Sequence, residues 1–241
     1  MFSQNTIDYV FIPFLVHLCS YWSFCSIFYV IDYFRLPLRV ARSDEQDDQD
    51  LPLRVARSDE QDLPQTHQNW NRYKLAAITS FKNQLYVSLP TLYSVSDRIQ
   101  TVIESSLNDS LLLSIWKIFL IINVSNLFFY WSHRLLHVPF MFRYIHSKHH
   151  EFIEPIGVAA LYAHPIEHFL SNTFSFIFPF LYIGCNYYIM LALLSGASIT
   201  TVFYHTKSFG IFNDHLVHHQ LFKYNFGFGG YLDKLFGTYK Q

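Results

Sequence analysis

The stretch LLLSIWKIFLIINVSNLFFYWSHRLLH, residues 111–137, decides how the chain is read. Its first part, Leu111 to Trp131, is apolar over the length that crosses a bilayer core as a helix, about 20 residues. Lys117 and two asparagines are its only strongly polar interruptions. Directly behind it stand His133 and His137, four residues apart and so on one face of a continuing helix. An apolar span followed by paired imidazoles at the membrane edge is the unit from which the rest of the chain is understood.

Composition agrees with a membrane setting. Of 241 residues, 51% are apolar, 19% are aromatic and only 15% are charged. Soluble domains carry about 25% charge, and here mean hydropathy is positive at +0.15. Abundant aromatics exclude disorder throughout. A formal net charge of -1 with no basic stripe speaks against a nucleic-acid binder. Cys19, Cys25 and Cys185 lie in or beside apolar runs, read as small hydrophobes rather than a disulfide framework.

Two further apolar runs flank the first. Tyr9 to Tyr33 reads as an uncleaved N-terminal anchor. Phe169 to Tyr204 is too long for one pass and is broken by Gly184, Cys185 and Asn186, which predicts a helical hairpin. Basic residues follow each run: Arg35, Arg39 and Arg42; then Arg134, Arg143 and Lys148; then Lys207, Lys223 and Lys234. The positive-inside rule places all three groups in the cytoplasm. A single crossing cannot join two cytoplasmic segments, so parity predicts a hidden one at Leu75 to Val95. Lys82, Asn83 and Gln84 at its centre would need partners inside the bundle. The expected fold is an all-α integral membrane bundle of about four transmembrane helices under a cytosolic, histidine-rich di-metal cap. Its expected divisions are an anchor over 1–34, a charged linker over 35–70 and a membrane domain over 71–241. The linker holds a perfect duplication, LPLRVARSDEQD at 36–47 and again at 51–62, with eight of the chain's eighteen acids.

Eleven of the thirteen histidines fall between 133 and 219, where an even spread would put about five. Three boxes stand out: HRLLH with His133 and His137, HSKHH with His146, His149 and His150, and HLVHH with His215, His218 and His219. At helical spacing each box presents its imidazoles to one point. Neutral imidazole binds iron, zinc and copper. Eight donors exceed one tetrahedral zinc and suit two metals of higher coordination number, each with an open position. A metallopeptidase would need Glu after the first histidine as general base, and Arg134 stands there. His164, before Pro165, and His205, at the hairpin's end, are read either as further ligands or as capping and core residues. His17 and His67 are read as unrelated to the site. Glu167 and Asp214 are the candidate carboxylates that orient ligand rings, with Glu151 and Glu154 read as surface groups.

The segments FYWSHRLLH (129–137), YIHSKHHEFIEPIGVAALYAHPIEH (144–168) and YNFGFGGYLDKLFGT (224–238) resemble signatures of the fatty acid hydroxylase / sterol desaturase superfamily. NQLYVSLP (83–90) resembles its polar-centred helix, so the resemblance runs from about Asn83 to Thr238. AALYAHPIE and LDKLFGT are most similar to the C-4 methylsterol oxidase branch. The resemblance implies a di-iron monooxygenase of the endoplasmic reticulum membrane, its active site facing the cytosol. It implies two iron ions, O2, and electrons from NAD(P)H through cytochrome b5, with cytochrome b5 or its reductase as donor and a lipid or sterol as substrate. It implies His133, His137, His146, His149, His150, His215, His218 and His219 as catalytic metal ligands, joined by His164 and His205, with Glu167 as the acid of the HPxE motif. In two respects the chain departs from the pattern: Leu216 stands where the family has Asp after the first histidine of its third box, and the 205–215 stretch is short. Three readings therefore stand: a hydroxylase of a C-4 methylsterol or of a fatty acyl or sphingolipid substrate, a catalytically silent lipid-binding member, and a zinc-dependent membrane hydrolase.

Overall fold

A computed structural model describes residues 3–33, 70–153, 155–206 and 213–240. Most of the duplicated linker, with His67, and also Glu154 and residues 207–212 of the short 205–215 stretch lie outside the described residues. The described chain is all-helical, without a strand.

Helix α1 runs through Gln4–Thr6, a π turn at Ile7–Phe11, and Ile12–Tyr33. Ser3 opens it by accepting the Thr6 backbone N–H. Helix α2 is continuous through Trp70–Asn83, a π turn at Gln84–Ser88, and Leu89–Ser94. A short α3, Ser96–Glu104, leads to α4, Leu111–Leu136, which Ser110 caps through the Leu113 N–H. Then come α5, Pro139–Tyr144, a 3-10 turn at His146–Glu151, and a second at Gly157–Ala159. Helix α6 joins Pro165–Glu167, a π turn at His168–Phe174, and Ser175–Ile183. Helix α7 is Tyr187–Tyr204, α8 Asn213–Leu221 and α9 Tyr231–Phe236.

The hairpin turns where the sequence breaks. Gly184 takes φ +67°, and a Cβ there would stand 3.0 Å from the Val102 carbonyl oxygen. A side chain is therefore excluded by both conformation and space. Asn186 then caps α7 through the Tyr188 N–H.

Three helices are long and apolar enough to cross a membrane: Gln4–Ile31, Leu111–Leu136 and Tyr187–Tyr204. Helix α2 does not meet that standard, so the fourth crossing expected from parity is not among them. Two of its three central polar residues nevertheless have interior partners, whereas Lys82 is exposed. Asn83 Nδ2 donates to the carbonyls of Leu161 and Ala163, at 3.0 Å each, and Gln84 Oε1 accepts the Trp22 indole N–H at 2.8 Å. Lys117 of α4 is likewise paired, 2.6 Å from Asp109.

Beside a small cluster of Tyr130, Phe226 and Leu232, the described core has two large apolar clusters. One, around Val10, Phe14, Leu92, Ile99 and Ile121, packs the end where α1, α2 and α4 meet α3 and the hairpin turn. The other, around Tyr21, Phe28, Ala76, Leu161 and Val202, packs α1, α2 and α7 under the 3-10 segments. Helices α1 and α7 are also stitched by Ser20–Ser195 and His17–Ser198, both 2.7 Å. The second cluster supports the histidine boxes.

Candidate metal centre

Box one sits at the end of α4, with His133 in its last turn and His137 as its C-cap. Box two lies on the 3-10 turn His146–Glu151, a tighter spiral than the expected α-helix, and box three on α8. The last two boxes do not each converge on one point. Nine imidazoles form two groups: His133, His137, His146, His150 and His218 in one, His149, His205, His215 and His219 in the other. Within each group the candidate ligand atoms all lie within 4.8 Å of one another.

The partition follows one rule. Residues i and i+4 of a box share a group: 133 with 137, 146 with 150, 215 with 219. The i+3 histidine of boxes two and three, His149 and His218, crosses to the other group. Adjacent residues on an α-helix diverge by about 100° around the axis, and a 3-10 turn separates them by about 120°. One box thus serves both groups.

Hydrogen bonds fix which nitrogen faces inward. The Nδ1 atoms of His133, His149, His205 and His218 reach the carbonyl oxygens of Phe226, Tyr162, Thr201 and Tyr224 at 2.7, 3.1, 2.8 and 2.7 Å. A carbonyl only accepts, so each Nδ1 carries the proton and each Nε2 of the neutral ring presents a bare lone pair. His149 and His205 then oppose lone pair to lone pair, Nε2 to Nε2, at 3.1 Å. A proton between them is disfavoured, because burial pulls the His149 imidazole down to about 4. A metal cation satisfies both nitrogens.

Inter-ring Nε2 separations test the fit. They are 3.1 Å for His137–His218, 2.9 Å for His137–His146, 3.0 Å for His146–His150, 3.1 Å for His205–His215 and 3.2 Å for His215–His219. With metal–nitrogen bonds of about 2.1 Å, ligands at right angles sit about 3.0 Å apart, whereas a tetrahedron sets them about 3.4 Å apart. The residues present therefore fit two metal ions, with five imidazoles around one and four around the other.

His205 joins the second group as a ligand candidate. His164 does not join either. It is the N-cap of Pro165–Glu167, where its Nδ1 accepts the Ile166 N–H at 3.2 Å. The fixed φ of Pro165 turns the helix start and points that imidazole at its own first turn. Glu167 lies beside the centre: its Oε1 stands 2.9 Å from His146 Nδ1, close but not aligned as a hydrogen bond. Asp214 turns its carboxylate to Tyr239 instead of an imidazole. Its link to the site runs through its carbonyl, which accepts from Asn225 Nδ2 at 3.1 Å. Leu216 is half-buried on α8. Glu151 is tied to Tyr162, whose hydroxyl donates to it at 2.6 Å.

Residues outside the boxes hold the loop that supplies two of the anchoring carbonyls. Asp233, fully buried, accepts from the N–H groups of Phe226 and Gly227 at 2.7 and 2.9 Å and from the Thr238 hydroxyl at 2.8 Å. Asn126 pairs both ways with the Phe228 backbone at 3.0 Å. Asn225 adopts φ 58° and binds Lys240. The only sequence signal for these roles was a lone acid, Asp233, inside the apolar C-terminal motif, and an asparagine, Asn126, inside an apolar span.

Below the histidines lies a mainly apolar cavity of about 580 Å³ between α1, α2, α4, α6 and α7. That is within the size range of small-molecule sites. Phe129, Ser171, Asn172, Thr201 and Phe228 line both this cavity and a narrow gap that reaches His133, His146, His149, His205 and His215. The Phe129 and Phe228 rings stack there at 4.1 Å.

Comparison with known proteins places this architecture. The fatty acid hydroxylase family model matches residues 118–238. The human "Fatty acid hydroxylase domain-containing protein 2" is 41% identical over 48% of this chain and 36% of its own, so this chain spans little more than a third of that relative's length. A "Putative methylsterol monooxygenase" of Dictyostelium discoideum is 31% identical over 73% of this chain and 72% of its own. "Sphinganine C4-monooxygenase 2" of Arabidopsis thaliana is 37% identical over 46% and 49%. No solved structure was found to match. On its three apolar helices, its histidine boxes and this match, the chain belongs to the fatty acid hydroxylase family.

Proposed function

We propose that the chain is a membrane di-iron monooxygenase that hydroxylates an unactivated C–H bond of an apolar lipid, foremost a C-4 methylsterol. In this reading it lies in the endoplasmic reticulum membrane with the histidines facing the cytosol, and α2 is the hidden crossing that parity requires. Residues 1–34 anchor it, 35–70 link, and 71–241 carry the reaction. Electrons come from NAD(P)H through cytochrome b5. The single observation behind the reading is the pair of imidazole groups opening through a narrow gap onto an apolar cavity. The Dictyostelium relative's name supports a methylsterol, and that of the Arabidopsis relative supports a sphingoid base as the second substrate reading.

When bound, two iron ions would supply activation of O2. One oxygen atom enters the C–H bond to give the alcohol; the other leaves as water, with two electrons and two protons delivered by the donor. The protein's own work is geometric. His133, His149, His205 and His218 are held by carbonyls so that each Nε2 faces inward. Phe129 and Phe228 narrow the passage and help keep it dry, which protects a reactive oxidant from water. The apolar cavity orients the lipid.

The test is elemental mass spectrometry of the detergent-purified chain, followed by reconstitution with NAD(P)H, cytochrome b5, its reductase and a 4,4-dimethylsterol. About two irons per chain and a 4-hydroxymethyl product are expected. Absence of stoichiometric metal after iron-replete purification would overturn the reading in favour of a silent lipid-binding member.

A further inference from the structure

The 580 Å³ cavity is closed at one end and open at its side. Of the described residues that line it, six are exposed: Ile122, Ala192, Gly196, Thr200, Gly229 and Tyr231. They fall on two edges. Ile122 belongs to α4, and the C-terminal loop lies along that helix, since the Tyr231 hydroxyl donates to Asn123 Oδ1 at 3.0 Å. Ala192, Gly196 and Thr200 stand four residues apart on α7 and share one face. Helix α4 packs against α6, and α7 against α1. The space between α4 and α7 is thus the mouth of the cavity. The histidine end is shut: none of the described residues that line the gap is exposed.

The depth of the mouth determines what can pass. Helices α4 and α7 are both long and apolar enough to cross a membrane. Gly196 is the tenth of the eighteen residues of α7. Ile122 stands next to the midpoint of the apolar run Leu111 to Trp131. In a bilayer the mouth therefore faces hydrocarbon rather than head groups or water. At about 1.5 Å per residue, His205 lies about 14 Å along α7 from Gly196, and His133 about 17 Å along α4 from Ile122. A molecule that enters at mid-membrane and reaches the histidines is accordingly apolar and elongated.

Gly196 has no other evident reason to be glycine. Its φ is not positive, and a Cβ there would meet no atom within 4 Å. Glycine inside a helix is destabilising relative to alanine, and in membrane helices it serves close contact between helices. Here no helix approaches it, and its missing side chain leaves the mouth open.

We propose that the opening between α4 and α7 is a lateral portal through which an elongated lipid enters the cavity without leaving the hydrocarbon. The inference rests on the proposed lipid hydroxylase function and adds the route. With the route comes a substrate class: lipid dissolved in the bilayer, rather than a ligand carried to the histidine cap through water.

The test is photolabelling of the full-length, metal-loaded chain in phosphatidylcholine nanodiscs without reductant, so that turnover plays no part. The probe is octadecan-1-ol carrying a diazirine at mid-chain, and labelled residues are mapped by mass spectrometry. Wild type should be labelled inside the cavity, at Phe129 or Thr201, and on the outer surface at Ile115, which is exposed and does not line the cavity. Gly196→Trp sets an indole in the mouth where no neighbour need move. A lipid must then crowd past it, so cavity labelling should fall about tenfold. Ile115 labelling and metal content should hold at wild-type values, which also shows that the variant is folded. Ala192→Trp should act alike, whereas Leu127→Trp, on an exposed face of α4 outside the cavity, should change neither. If both mouth variants keep full cavity labelling, or wild type is labelled outside but not inside, the portal assignment is overturned. If the labelling behaves as expected while the reconstituted chain oxidises no lipid, the hydroxylase reading falls and the portal stands.

Discussion

Asp233→Asn probes how the C-terminal loop aims the ligand rings. The wild-type carboxylate accepts two bonds on Oδ1, from the Phe226 N–H and the Thr238 hydroxyl, and one on Oδ2, from the Gly227 N–H. In its better orientation the amide keeps the two Oδ1 bonds and turns an NH2 toward the Gly227 N–H. One bond to a charged acceptor is lost, costing about 1.5–3 kcal/mol, and two donors are left face to face. The loop it loosens carries the Phe226 and Tyr224 carbonyls that orient His133 and His218. Both histidines belong to the five-membered group. The other group hangs on the Tyr162 and Thr201 carbonyls, far from Asp233 in the chain. Loss of such an orienting contact lowers metal affinity about 10–100-fold. Chelator titration of the metal-loaded variant should therefore release one ion early and the other at the wild-type concentration. Equal weakening of both ions, or no change with an unchanged melting temperature, would refute the reasoning.

Other perturbations separate the remaining roles. His149→Ala removes one of four nitrogens from the second group and none from the first, so it should abolish turnover while elemental analysis still finds about one metal per chain. His164→Ala should leave metal content at the wild-type value and lower stability by about 1 kcal/mol, the worth of an N-cap, read by thermal denaturation. Acidification should destabilise the metal-stripped chain. Burial holds the His149 imidazole at about 4, and those of His215, His218 and His219 well below their ordinary 6.5. Below pH 6.5 the unfolded chain binds protons that the folded chain refuses, so stability falls with pH by about 1.4 kcal/mol per unit for each such group down to its folded value. A melting temperature that is flat or rising from pH 7 to 5 would contradict this.

The sequence alone determined a good deal. Apolar length and the Gly184–Asn186 break specify the first apolar helix, the long α4 and the hairpin, because burying backbone in lipid demands uninterrupted helices. Spacing of i and i+4 brings His133 to His137, His146 to His150 and His215 to His219, since that relation is local to one helix or turn. Tertiary structure decided the rest. Which group His149 and His218 join depends on how a 3-10 turn and α8 face each other across the centre, and no local period encodes that. His164 and His205 look alike in the sequence as lone histidines. One is spent on its own helix start, whereas α7 delivers the other beside His149 and His215. Asp233 and Asn126 gain their roles only when the chain's end folds back onto α4, more than a hundred residues away in the case of Asn126 and Phe228. The cavity is equally non-local. Phe129 of α4, Ser171 of α6 and Thr201 of α7 are distant in the chain and come to line one space only when their helices pack together.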